Sequence, residues 1–384
     1  MKINERKIEL ILKDVKRNGN SAVAKYIKKF DGVNLKASRF KISAKVLRNA
    51  YRTLSPDLRN ALRAAQKNIA SFYTEEKKQI VRDWTLKTRD KICAQKWIPV
   101  DSAGVYVPGG RFSYPSTVLH GAVPARTAGV KRVVCISPPG KITNEVLAAA
   151  YIARIDEFYQ IGGPAGIAAL SFGTKTIKPV DLIVGPGNVY VTAAKKLVYG
   201  TVGIDMLAGP SEVAIVADAA ADIKLIMQDI KAQKEHDPHA HAWIISLNKK
   251  LSAQLKKMNR SARIITVPTI AQAAEIVNKI APEHLQLMSK KNAQLAKLIR
   301  SAGAVFIGRN TPVAIGDYIA GPSHILPTGR TARFSSGLSI CNFYKRINSV
   351  AYRYCSDDFA YASEIASSEG MYEHKKSLTR RMQA

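Results

Sequence analysis

The chain has 384 residues, enough for two or three domains with cores of their own. At 46% hydrophobic and 23% charged it has the balance of an ordinary globular protein, which excludes a disordered chain, and it holds no apolar run long enough to span a membrane. Lysine and arginine number 59 against 29 acidic residues, a net charge of +30, but they are dispersed, without a basic block interleaved with aromatics, a zinc-knuckle spacing or a basic tail, so a nucleic-acid binder is not expected; the excess would attract an anionic cofactor such as a dinucleotide.

Residues 1–70 read as helices. Ile8, Ile11, Leu12 and Val15 recur at helical spacing, as do Leu58, Leu62 and Ala65. The first 19 residues are charged throughout, unlike a signal peptide, and a cytoplasmic location is expected. A βαβ rhythm follows, with strands at 132–137, 157–161 and 181–184 and helices at 144–155, 165–172 and 188–198. A second series places strands at 243–247, 264–267, 284–288 and 304–307, with helices such as 271–280 and 292–302 between them. Such alternation implies parallel sheets covered by helices, here as two α/β units joined near Gly209-Pro210. Residues 356–382 read as a polar helical hairpin broken at Gly370, too poor in apolar residues to fold alone. Of the four scattered cysteines none sits in a CxxC pair, and Cys135, inside an apolar strand pattern, reads as a buried small hydrophobe.

Four places offer chemistry. On the helix 222–236, Ile223, Ile226 and Ile230 form an apolar stripe whose next positions are Gln233 and His236, before Asp237-Pro238 ends the helix. Gln233 and His236 could share one ion or ligand, although spacing alone favours a helix-end histidine on local carbonyls. His239 and His241 form a His-x-His pair in a turn, where solvation is the simpler reading. The second place is Glu283-His284, a carboxylate beside an imidazole where a helix gives way to a strand. On a regular strand these would face opposite ways, so the Pro282 turn has to matter if both serve one site, and a solvated strand-edge pair is the other reading. The third is Gly316-Asp317-Tyr318 with Gly321-Pro-Ser-His324, and the fourth Glu369 with His374 across Gly370. Two glycine turns, 162–166 and 185–188, each open a helix and could seat a phosphate on backbone N–H groups, though neither is a full GxGxxG fingerprint.

Eight blocks, in order, resemble the histidinol dehydrogenase family: Gly104-Val-Tyr106-Val-Pro-Gly-Gly110, Val184-Gly-Pro-Gly-Asn188, Ile204-Asp-Met-Leu-Ala-Gly-Pro-Ser-Glu212, Gln233-Lys-Glu-His236-Asp-Pro238, Ala281-Pro-Glu-His-Leu285, Gly316-Asp-Tyr318, Gly321-Pro-Ser-His-Ile-Leu-Pro-Thr328 and Thr331-Ala-Arg-Phe-Ser-Ser-Gly337. The resemblance implies two Rossmann-like α/β units with parallel sheets and a helical carboxyl-terminal tail. We place them at 1–105 with 213–337, at 106–212, and at 338–384, the tail docking on a partner subunit. It implies zinc held by Gln233, His236, Asp317 and His374, one ion per subunit. The substrate, L-histidinol, would be contacted by Ser211, Glu369, His284 and the metal ligands. Catalysis would fall to Glu283 and His284, and NAD contacts to Tyr106 and Asn188. It further implies an NAD-dependent, two-step oxidation through the aldehyde to L-histidine, by a homodimer with tail exchange. Ala165 stands where many members carry a glutamine that contacts NAD, and Lys234 where they carry alanine. The chain also starts later than many members, for which a shorter dimer contact is expected. Two rivals are weighed: a relative acting on an acidic diol, disfavoured by Glu369, and a nucleic-acid binder on an inherited scaffold, disfavoured by retention of every proposed ligand.

Overall fold

In the computed structural model of the protein the described residues are 4–109, 114–236, 240–258 and 261–383, with the side chain of His236 excepted. The chain divides into two units, one of Met1–Lys77 and Val100–Phe343, the other of Lys78–Pro99 and Tyr344–Ala384.

Four helices open the chain: α1 (Glu5–Asn18), α2 (Asn20–Asp31), α3 (Ala44–Thr53) and α4 (Pro56–Ile80), with a short strand β1 (Lys41–Ile42) after α2. Next come β2 (Trp84–Lys87) and β3 (Lys91–Pro99). The first alternating series is β4 (Ser102–Tyr106), α5 (Pro115–Ala128), β5 (Arg132–Ile136), α6 (Asn144–Ile152), β6 (Glu157–Tyr159), α7 (Gly163–Phe172), β7 (Leu182–Val184), α8 (Val189–Val198) and β8 (Gly203–Ile204). The second is β9 (Glu212–Ala217), α9 (Ile223–His236), β10 (His241–Ser246), α10 (Lys249–Met258), β11 (Arg263–Thr266), α11 (Ile270–Ile280), β12 (His284–Met288), α12 (Asn292–Leu298) and β13 (Ala304–Ile307). A short helix α13 (Val313–Tyr318) follows, and the chain closes with β14 (Tyr344–Tyr352), α14 (Asp357–Ser368) and α15 (Tyr372–Met382). Among the described residues no helix is long and apolar enough to cross a membrane.

Both expected parallel sheets are present, with one topology. The first runs β1-β6-β5-β4-β7-β8, parallel except for β1, and the second β11-β10-β9-β12-β13, parallel throughout. Each sheet grows outward in both directions from its first parallel strand, β4 or β9, and the reversal of chain direction there opens a crevice at the strand ends. The periodicity misses both of these central strands. Both are buried at every residue, so neither alternates. β4 also contains Gly104, which the packing requires: a Cβ there would lie 2.6 Å from Leu170 Cδ1.

The expected boundaries differ from the observed ones at two places. α1 and α2 do not join residues 213–337; their stripe of Ile8, Ile11, Leu12, Val15, Val23 and Ile27 packs into one core with Ile167, Leu170 and Val191 of α7 and α8. The apolar face of α1 finds its cover there, each buried aliphatic side chain contributing about 1.5–3 kcal/mol. And the tail 338–384 is not helical throughout. β14 pairs antiparallel with β3 over nine residue pairs, from Tyr344↔Pro99 to Tyr352↔Lys91, and β2 pairs on the other edge of β3. Every residue of β14 after Tyr344 is exposed, so it lacks the half-buried alternation that signals a strand. In this second unit Asp358 accepts from Tyr352 Oη at 2.7 Å and pairs with Lys91, tying α14 to the sheet. Gly370, at φ +74°, turns α14 into α15 where the sequence marks the break.

Candidate active site

A cavity of about 640 Å³ in the first unit lies where the carboxyl ends of β4 and β7 face the amino ends of β9 and β12. Pro108 and the turn Pro186-Gly187-Asn188 line it from the first sheet; Ser211, Glu283 and His284 line it from the second. Gln233 and Asp317 complete the polar wall.

The Glu283-His284 pair is set by the turn between α11 and β12. Ala281 caps α11 in the left-handed region, φ +49°, a conformation that costs a non-glycine residue about 1–2 kcal/mol. With Pro282 it delays the strand, so Glu283 precedes β12 and does not obey strand alternation. Gly303 permits this: its N–H bonds the Pro282 carbonyl at 2.9 Å, and a Cβ there would lie 2.5 Å from the Glu283 carbonyl oxygen. Both side chains therefore reach one site, with Glu283 Oε2 3.6 Å from His284 Nδ1.

The backbone of one residue, Glu212, orients them. The Glu212 N–H donates to Glu283 Oε2 at 2.9 Å, and the Glu212 carbonyl lies 3.1 Å from His284 Nδ1. A proton on Nδ1 satisfies that carbonyl, which makes Nε2 the basic nitrogen of the neutral ring. His284 Nε2 stands 3.7 Å from Asp317 Oδ1. Burial pushes the Glu283 carboxyl well above the usual carboxylate range; the Glu212 N–H opposes this, while the nearby Asp317 and Glu212 charges reinforce it. Both residues are more than nine-tenths buried, so this charge chemistry runs in a water-poor setting.

Gln233 sits where the α9 stripe predicts. Ile226 and Ile230 are buried in the second core, and Gln233 continues the same face, 4% exposed, into the cavity wall. Asp317 arrives on α13. Gly316 lets that helix approach β13, since a Cβ there would lie 2.5 Å from the Phe306 ring. His324 Nδ1 lies 2.8 Å from the Asp317 carbonyl and Nε2 3.3 Å from Thr117 Oγ1. Beneath it, His120 of α5 is fully buried with its ring 4.3 Å from that of His324. Burial first, and His324 second, hold the His120 imidazole well below its ordinary pKa, so it stays neutral. Sequence reading passes over His120 because α5 is buried continuously from Thr117 to Ala125, with no stripe to mark a position.

The other expected site residues fall in three groups. Ser211 and Asn188 line the cavity, Asn188 also capping α8 by accepting from the N–H groups of Tyr190 and Val191. Tyr106 is buried at the end of β4, outside the cavity lining, with its hydroxyl accepting from the Gly163 N–H at 3.3 Å. Glu369 and His374 are exposed residues of the second unit. The side chain of His236 and residues Gly110, Asp237, Pro238 and His239 lie outside the described residues. Among those described, no three His, Cys, Asp or Glu side chains form a metal set. Of the four expected ligands, only Gln233 and Asp317 can be placed in the cavity, and Gln233 is an amide. Those two do fit a divalent cation: both bring oxygen donors to one wall, and a buried amide facing a cavity is costly without a polar partner. Cys135 is buried, as expected of a core residue.

Comparison with known proteins agrees along the whole chain. A family model described as histidinol dehydrogenase matches residues 2–382. The chain is 41% identical over 403 residues to the histidinol dehydrogenase of Gluconobacter oxydans (strain 621H), covering 98% of this chain and 92% of that protein. It is 41% identical over 404 residues to that of a Synechococcus strain, covering 99% and 92%. The crystal structure of histidinol dehydrogenase from Elizabethkingia anophelis superposes with a TM-score of 0.91 at 30% identity, covering 100% of this chain and 93% of that one.

Proposed function

The chain belongs to the histidinol dehydrogenase family of oxidoreductases, and on that premise we propose that it oxidises L-histidinol to L-histidine in two NAD-dependent steps, with zinc as its resident metal. The observation that carries this reading is the pairing of Glu283 and His284 on the N–H and carbonyl of Glu212, in a cavity that also holds Gln233 and Asp317.

Gln233, His236 and Asp317 would hold the zinc, with His374 brought by tail exchange from the second copy of a homodimer, where Glu369 would meet the substrate's cationic end. The zinc would supply a cationic anchor for the substrate, and NAD⁺ would supply the hydride acceptor. The protein's own groups move the protons. His284 Nε2 removes the hydroxyl proton as the C–H bond is lost, a task suited to an imidazole near neutrality. The aldehyde stays bound, and a water adds to it with Glu283 taking part. Burial raises the pKa of the Glu283 carboxyl above the usual carboxylate range, so it holds a proton more tightly than a solvated carboxyl does. Once His284 has released the first proton to solvent, its Nε2 takes a second as the hydrated aldehyde is oxidised to the acid by a second NAD⁺. Ser211, at the cavity wall beside Glu283, would hold the substrate, and Asn188, with Tyr106 behind it, the cofactor.

Chelation is the direct test. Metal-free protein is expected to keep its circular dichroism spectrum but lose L-histidinol oxidation, and stoichiometric zinc to restore it. Full turnover in metal-free protein would remove zinc from the mechanism.

A further inference from the structure

The turn Gly185–Asn188 is held by two charged side chains to which the chemistry above gives no role. Lys195 of α8 and Asp205, just past β8, form an ion pair with side chains 2% and 0% exposed. Lys195 Nζ also donates to the Gly185 carbonyl at 2.9 Å, and Asp205 Oδ2 accepts from the Gly185 N–H at 2.7 Å. The pair thus grips both polar groups of one glycine. That glycine lies at φ +115°, so close to β4 that a Cβ would sit 2.3 Å from the Tyr106 carbonyl oxygen.

A buried ion pair is a poor source of stability, because desolvation offsets the attraction and an apolar pair of like volume does as well or better. Its distinctive contribution is direction. The residues after Gly185 form the cavity wall: Pro186, Gly187 and Asn188. Gly187 is confined in turn, a Cβ there falling 2.3 Å from Val191 Cγ1. Asp205 also fixes the start of the segment that leads to Ser211. Its Oδ1 accepts from the Met206 N–H at 2.6 Å, and Thr192 Oγ1 of α8 donates to the Ala208 carbonyl at 2.9 Å, so the segment leading to Ser211 is tied to the same helix.

We propose that Lys195 and Asp205 are positioning residues for cofactor binding: by holding both the N–H and the carbonyl of Gly185 they preset the turn that receives the dinucleotide. This rests on the reading that the turn at Asn188 takes NAD⁺. The double substitution Lys195→Met with Asp205→Leu removes both charges and leaves neither orphaned. In zinc-loaded protein the Kd and KM for NAD⁺ are expected to rise about tenfold or more, equivalent to about 1.4 kcal/mol, and to rise more than kcat falls or the KM for L-histidinol changes. A folded double variant that binds NAD⁺ as the unaltered protein does would overturn the proposal. So would equal changes in both KM values, the mark of a general structural role. If the double variant does not fold, hydrogen exchange in the unaltered protein decides: the Gly185 amide is expected to be protected before NAD⁺ is added, and free exchange until NAD⁺ binds would contradict the clamp. Unaltered protein that binds no NAD⁺ would instead sink the cofactor reading itself.

Discussion

Replacing His284 with asparagine is expected to slow both oxidations by about 10²–10⁴-fold, the usual contribution of a positioned general base. Asparagine keeps an N–H donor near the Glu212 carbonyl, the group that lies 3.1 Å from Nδ1, so the local backbone should hold. What it lacks is a basic nitrogen at the position of Nε2. Loss of rate with little change in the Kd for L-histidinol is therefore expected, because Ser211, Glu369 and the metal would carry most of the substrate binding. Stopped-flow measurement of NADH formation, with binding followed by calorimetry, separates the two quantities. A variant that binds substrate normally and turns over within a few-fold of the unaltered enzyme would remove His284 from the proton path.

Glu283→Gln is expected to give the second large effect, and to split it between the two steps. Glutamine can still accept from the Glu212 N–H, which now meets Glu283 Oε2 at 2.9 Å. It cannot exchange a proton with the water that adds to the aldehyde. Oxidation of supplied histidinaldehyde should fall by about 10²–10⁴-fold, while oxidation of the alcohol falls less. Equal losses on both substrates would reassign Glu283 to a purely structural role.

The same substitution has a stability signature of opposite sign. Burial raises the folded-state pKa of Glu283 above its ordinary value of 4.5. A carboxyl with a raised folded pKa favours the folded state below its unfolded pKa, and that contribution is lost as the pH climbs through the folded value. Glutamine does not titrate. Metal-free Glu283→Gln should therefore melt close to the unaltered protein near pH 4.5, and at increasingly higher temperature relative to it as the pH rises. A residue that destabilises the fold at working pH while serving the reaction is the expected compromise of an active site.

Much of the architecture is written in local patterns. The strand at 284–288 and the helix break at Gly370 can be read from residue order, because one alternates polar and apolar residues behind the Pro282 turn and the other is a glycine the turn needs at positive φ. The central strands β4 and β9 could not be read the same way. Strands buried on both faces lose the alternation that marks a strand, and Gly104 obscures β4 further. The packing of α1 on α7 and α8 is a long-range choice between two similar sheets, and nothing in the stripe of α1 says which one it covers. At the site, the stripe ending in Gln233 and the Glu283-His284 pair were legible from residue types. The Glu212 backbone groups that orient the pair were not, since a backbone group has no sequence signature. The clamp of Lys195 and Asp205 was hidden for another reason: a lysine among 59 basic residues reads as one more solvated side chain until its burial is seen.

The central claim, that one site carries an alcohol through to an acid, is tested most directly by counting cofactor. Zinc-loaded protein given limiting L-histidinol and excess NAD⁺ is expected to produce two NADH for each L-histidine formed, with no free aldehyde trapped by semicarbazide. One NADH per histidinol with aldehyde released, or no NADH from a folded and zinc-loaded protein, would contradict it.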